Sequence, residues 1–267
     1  MINVLNTHLC SQTITLFRYF MLGIVNRRLF GLLGILLLIA FLASGFVFEL
    51  AIINSEQIAT ALLADFLRYS LALLILLLIT SNVAEDFEYR QFERLLTMPI
   101  SRWQYIIAQL LVVAVTALIL VLPAFIVLTY FASYDIAIYW AVALWLELLL
   151  VGLIGFLAIL SLEKIPSAVF LTLAVYFLSK LSGLIAQMLD ESVSLSDGGL
   201  ANQFAEFVFN SILHVLPGLE SFAQNDVFFE DLEMVAILLT QFQTVSAYSI
   251  FIIMACLIDF YRKEFNL

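Results

Sequence analysis

Charge is scarce in this chain. Of its 267 residues only 12% are charged, while 64% are hydrophobic and the mean hydropathy is +1.10. A soluble domain is about 45–50% apolar. The excess here cannot be buried inside a water-soluble globule of this size. The class implied is an all-α, polytopic membrane protein, because in lipid each backbone polar group must be satisfied within its own segment. Cysteine is nearly absent too: Cys10 and Cys256 alone imply no disulfide scaffold. The three lysines are Lys164, Lys180 and Lys263, and none follows a glycine. There is thus no phosphate loop, and any nucleotide that drives this protein is bound elsewhere. The chain has no HExxH, no GxSxG and no paired catalytic residues, which speaks against an intramembrane enzyme. His8 and His214 stand alone, so each reads as a satisfied histidine ahead of a metal or haem ligand. Neither an internal repeat nor a low-complexity tract appears, so residues 1–267 read as one membrane domain.

What is present is a series of long apolar runs. Residues 1–28 precede the first. Phe17, Phe20, Met21 and Ile24 recur at i, i+3, i+4 and i+7, with Arg18, Asn26, Arg27 and Arg28 around them, which reads as an interfacial helix. A cleaved signal peptide fits less well, because the apolar run starts only after Arg28. Six spans follow, at about 29–48, 69–84, 105–131, 140–160, 167–189 and 235–260. Their connections are 54–68, polar and mildly acidic; 85–104, densely charged; 132–139, a tight turn; 161–166, short and carrying Lys164; and 190–234, long and acidic. A basic-leaning tail, 261–267, closes the chain. Within 190–234, Asp197-Gly198-Gly199 is a turn signal. Leu200, Phe204, Phe207, Val208, Ser211 and Val215 then make a helical stripe that Pro217-Gly218 ends. A short outer helix between spans five and six is expected. Pro123 is expected to kink span three.

Lys and Arg set the orientation. With the N-terminus in the cytoplasm, Arg18, Arg27, Arg28, Arg90, Arg94, Arg102, Lys164, Arg262 and Lys263 all fall inside, nine of the eleven basic residues. The 190–234 segment has nine acidic residues and no Lys or Arg, which suits the outer side. Six spans with both termini cytoplasmic is self-consistent.

The stretch 85–102, EDFEYRQFERLLTMPISR, departs most from the rest. Seven of its 18 residues are charged: Glu85, Asp86, Glu88, Arg90, Glu93, Arg94 and Arg102. Phe87, Gln91, Arg94 and Leu95 share one helical face, with Phe92, Leu95 and Leu96 as an apolar stripe beside it. Pro99 stops that helix, and Ser101 is placed to cap the next. An apolar back and a charged front suit a helix lying at the membrane surface against a soluble partner. The plainer alternative is a solvated loop that obeys the charge rule for cytoplasmic loops.

Two ionisable residues fall inside spans. Glu147 lies eight residues past Tyr139, and Lys180 eight before Met188. At about 1.5 Å per residue both are roughly 12 Å below the outer surface. Such residues are costly and face protein or water. A Glu147–Lys180 pair is expected, either as a gate or substrate-lining pair or as an ion pair that fixes helix register. A rim pair of Glu49 with Arg68 is a further expectation.

The charged stretch resembles the permease subunits of ATP-binding-cassette (ABC) exporters of the type 2 membrane family. Those carry, between spans two and three, an acidic run ending in Leu-Leu, a few residues and Pro, then Ser-Arg or similar. Here these are Glu85, Asp86, Glu88, Glu93, Leu95-Leu96 and Pro99-Ile100-Ser101-Arg102. The family commonly has Gly-Thr where this chain has Arg90-Gln91. The haem-exporter permeases of cytochrome c maturation have a similar run. The resemblance implies a bacterial inner-membrane subunit that makes no catalysis of its own. It implies a cytoplasmic ABC ATPase that binds the ATP and Mg, a second permease copy, a periplasmic accessory protein, and no nucleic acid. Glu85, Glu88, Arg90, Glu93, Arg94, Leu95, Leu96, Pro99, Ser101 and Arg102 would form the coupling helix, with Lys164 as a minor ATPase contact. The substrate would be apolar or amphipathic. A stand-alone channel or ion-coupled carrier is the competing class. It is disfavoured because no pair of Gly/Pro-broken helices recurs in the two halves.

Overall fold

The computed structural model describes residues 2–50, 55–88, 102–195, 216–222, 228 and 234–262. Seven long helices account for nearly all of them, and no strand occurs among the described residues. They are α1 (Ile2–Val25), α2 (Arg28–Leu50), α3 (Ser55–Glu88), α4 (Arg102–Leu128), α5 (Tyr134–Leu162), α6 (Ile165–Leu195) and α7 (Met234–Arg262), with a 3-10 turn at Leu219–Ser221. Five of these, α3 to α7, are long and apolar enough to cross a membrane. α2 has 23 residues and contains the apolar stretch Gly31–Phe46. The structure is therefore that of a polytopic helical membrane protein.

α5 is the centre of the bundle. Most of its residues are buried inside the protein, and it packs against α3, α4, α6 and α7. Two glycines set how closely its neighbours come. A Cβ on Gly152 would lie 2.6 Å from Val113 Cγ1 of α4, and one on Gly155 would lie 2.7 Å from Leu76 Cδ1 of α3. With no Cβ at either position, both neighbours seat directly on the α5 backbone.

Several boundaries differ from the sequence reading. Residues 55–68 are not a connection; they are the first four turns of α3, a helix of 34 residues. Ala59, Leu63, Ala64 and Leu67 recur at helical spacing and are fully buried. That stripe holds the segment in the bundle despite Glu56, Asp65 and Arg68. Span four begins at Tyr134, not at residue 140, and α6 runs on to Leu195. Pro123 sits inside α4, which continues to Leu128.

The link between α5 and α6 is only Glu163 and Lys164. Glu163 takes the left-handed conformation (φ 57°) and returns its N–H to Ile159 O. That αL cap ends α5. Pro166 lies in the first turn of α6, where a missing N–H costs nothing. Lys164 is exposed there, and its carbonyl accepts the Ala168 N–H at 3.0 Å.

α1 packs along α4 and also touches α3. Leu16, Phe20 and Ile24 form its buried stripe, with Phe17 and Met21 beside them. The opposite face, with Ile14, Tyr19 and Leu22, is exposed and also apolar.

Candidate functional site

Two polar clusters stand out in an otherwise apolar bundle. The first lies where α3 ends and the charged stretch begins. α1 and α2 meet in a tight elbow there. Arg27, in the elbow, places Nη2 2.6 Å from Glu85 Oε2 and donates to Ser81 O at 3.2 Å. One residue on, Asp86 is buried, and Tyr105 of α4 donates its hydroxyl to Asp86 Oδ2 at 3.0 Å. Gln109, one turn further along α4, donates to the Tyr105 oxygen at 3.3 Å. Phe20 of α1 stacks edge-on against the Tyr105 ring, centroids 5.5 Å apart. Three helices thus converge on two consecutive acidic residues. Glu88 is in the last turn of α3 and Arg102 opens α4. Arg90, Glu93, Arg94, Leu95, Leu96, Pro99 and Ser101 lie outside the described residues. The outer helix expected over 200–215, with His214, lies outside them too.

The second cluster is inside the bundle. Glu147 of α5 is fully buried, and Lys180 of α6 reaches it at 2.9 Å between Nζ and Oε1. Tyr176, one turn before Lys180 on α6, donates its hydroxyl to the same oxygen at 2.8 Å. A charge taken out of water needs an opposite charge and further hydrogen bonds, and this cluster supplies them. The Lys180 ammonium also donates to Leu219 O at 2.7 Å and Phe222 O at 3.2 Å. Its three donors therefore meet a carboxylate and two backbone carbonyls. Glu147 Oε2 has no hydrogen-bond partner among the described residues.

Around this core the network widens. Tyr69 of α3 packs edge-on to Tyr176, ring centroids 6.3 Å apart. Arg68 lies 5.9 Å from the Tyr69 ring centre and pairs with Asp65 at 3.5 Å. Arg68 is buried and turned into the bundle, whereas Glu49 is exposed. Side chains on three helices thus place two cations and the Glu147 carboxylate inside one apolar shell, with Asp65 at its partly exposed edge.

Sequence reasoning missed Tyr176, the inward turn of Arg68, and the role of 216–222. A signal for Tyr176 existed: it lies four residues before Lys180, so both share one face of α6. The carbonyl contacts had none, since they belong to backbone and not to residue type. Lys164 lies apart from both clusters. Near it, at the same end of α5, Ser161 donates to Asp259 of α7 at 3.1 Å. Among the described residues, no three His, Cys, Asp or Glu side chains are grouped to hold a metal ion.

Compared with protein-family models the chain gives no match, and a search of curated proteins gives none either.

Proposed function

We propose that this chain is the membrane-spanning subunit of an ATP-driven exporter resembling the type 2 ABC family. α2 is then the first of six spans, with both termini in the cytoplasm of a bacterium. A separate ATPase docks on the 85–104 segment and supplies ATP hydrolysis, and a second permease copy completes the path for an apolar or amphipathic substrate. The observation that carries the reading is the rooting of the charged stretch. Glu85 is tied to the α1–α2 elbow by Arg27, and Asp86 is tied to α4 by Tyr105. A lever that transmits motion from a docked motor needs such a stiff root, because packed helices switch between discrete arrangements and do not deform continuously. Charges further along the sequence, at Arg90, Glu93 and Arg94, would set partner choice and encounter rate more than affinity.

The test is affinity purification of the tagged chain from its native membrane, followed by identification of the proteins retained. An ABC-type ATPase is expected with the parent chain. It is expected to be lost from a variant with Glu93→Arg and Arg94→Glu that still inserts. Equal recovery of that ATPase with both chains would remove the coupling role, and no ATPase with either would remove the exporter reading.

The buried Glu147–Lys180 network favours one other reading, an ion-coupled carrier, since ionisable groups within spans line ion and proton paths in carriers. Uptake or release by proteoliposomes of the chain alone, driven by an ion gradient without nucleotide, would decide for it.

A further inference from the structure

Irregular backbone is tolerated at membrane depth only where its polar groups find partners in protein. The turn at 216–222 is irregular backbone buried against two membrane-length helices, and it finds such partners. Leu219 and Phe222 are fully buried, and Pro217 is buried beside them. Side chains from two spans reach out to hold it. From α6, Lys180 donates to Leu219 O and Phe222 O, and Ser182 donates to Glu220 Oε2 at 3.1 Å. From α7, Gln241 donates to Ser221 O at 2.6 Å, and Tyr248 donates to Leu216 O at 2.8 Å. Four of these five bonds end on main-chain carbonyls. The seat therefore grips the path of the backbone, and two of the carbonyls depend on a single ammonium.

We propose that 216–222 is a strap that closes the bundle between α6 and α7, and that Lys180 is its latch. In the seated state the ammonium is shared between Glu147 and the two carbonyls. When the strap lifts, its carbonyls pass to water. Lys180 then stays on Glu147, whose Oε2 is free to accept one of the donors released. Neither state strands a buried charge, and that lets one side chain serve both. Arg68 and Asp65 of α3 and Tyr176 of α6 also face the latch, so the site stays electrically balanced in either position. The strap's role as a barrier to a transported molecule rests on the exporter reading. Its seating by Lys180 does not.

The test uses the full chain in lipid nanodiscs, with Cys10→Ser and Cys256→Ser, and with Leu219→Cys as reporter for a membrane-impermeant maleimide. The seated strap is expected to protect the reporter. Adding Lys180→Met should raise the labelling rate at least tenfold. Adding Glu147→Gln together with Lys180→Met should raise it to a similar extent, and this double variant decides if Lys180→Met alone fails to fold. Gln241→Ala, which removes one anchor and leaves the latch, should give a rise of only a few fold. Full labelling without any latch mutation, or an unchanged rate in the double variant, overturns the proposal. No ATPase takes part in this readout, so a chain that recruits no motor can still show a latched strap.

Discussion

Arg27 Nη2 lies 2.6 Å from Glu85 Oε2, and this contact joins the α1–α2 elbow to the end of α3. The Glu85 side chain is half-exposed, at 50%. The Arg27 side chain is 15% exposed, but water on the Glu85 side screens the pair to about 1 kcal/mol, so its value is chiefly positional. Arg27→Glu should shift thermal stability in detergent only slightly. It should nevertheless reduce retention of the ATPase, and Arg27→Glu with Glu85→Arg should restore it. Retention unaffected by the single change would show that the elbow does not set the lever.

The interior pair behaves in the opposite way. Glu147 and Lys180 are both sequestered, so removing one partner leaves a buried charge unpaired, at a cost of about 3–5 kcal/mol. Lys180→Met should therefore lower the unfolding midpoint sharply. Lys180→Met combined with Glu147→Gln should recover a large part of the loss, because no buried charge remains. Chemical denaturation of the purified chain in micelles reads both. A double variant as unstable as the single one would mean that the pair is not coupled.

That pair shows how much of the site was legible in the sequence. Helical rise alone puts Glu147 and Lys180 at matching depths in adjacent spans. The helix ends themselves differ: α5 starts six residues earlier than expected and α6 ends six residues later. The helical class and the apolar spans followed from composition and run length. Residues 55–68 did not. Their charges outweighed a buried stripe, Ala59, Leu63, Ala64 and Leu67, that hydropathy averages away. The seat of 216–222 was invisible for a different reason: it is made of main-chain carbonyls, which any sequence would offer.

Packing around α5 gives a third expectation. Gly152→Ala and Gly155→Ala each drive a methyl to within 2.6–2.7 Å of a neighbouring side-chain carbon. Over-packing of this kind costs about 1–3 kcal/mol. Gly31→Ala and Gly34→Ala on α2 meet nothing within 4 Å and should be neutral or slightly stabilising, since alanine favours helix by up to about 1 kcal/mol. Thermal unfolding of the four variants separates the two groups. Equal losses in all four would show that α5 is not the tight axis of the bundle.

The parity of the span count can be tested. Five helices qualify by length and apolarity, and α2 would make six. An even number of spans puts both chain ends on one side of the membrane; an odd number separates them. Nine of the eleven basic residues fall on the cytoplasmic side of the six-span arrangement, and each juxtamembrane Lys or Arg resists translocation. A fluorescent protein that matures only in the cytoplasm should therefore glow when fused before Met1 and when fused after Leu267. A phosphatase active only outside should work when inserted at Gly198 and fail at either end. If one terminus alone glows, the number of spans is odd; with α2 as the helix that fails to cross, four spans still separate the 85–104 segment from the C-terminal tail, so a dark C-terminus would put both outside and remove the coupling role.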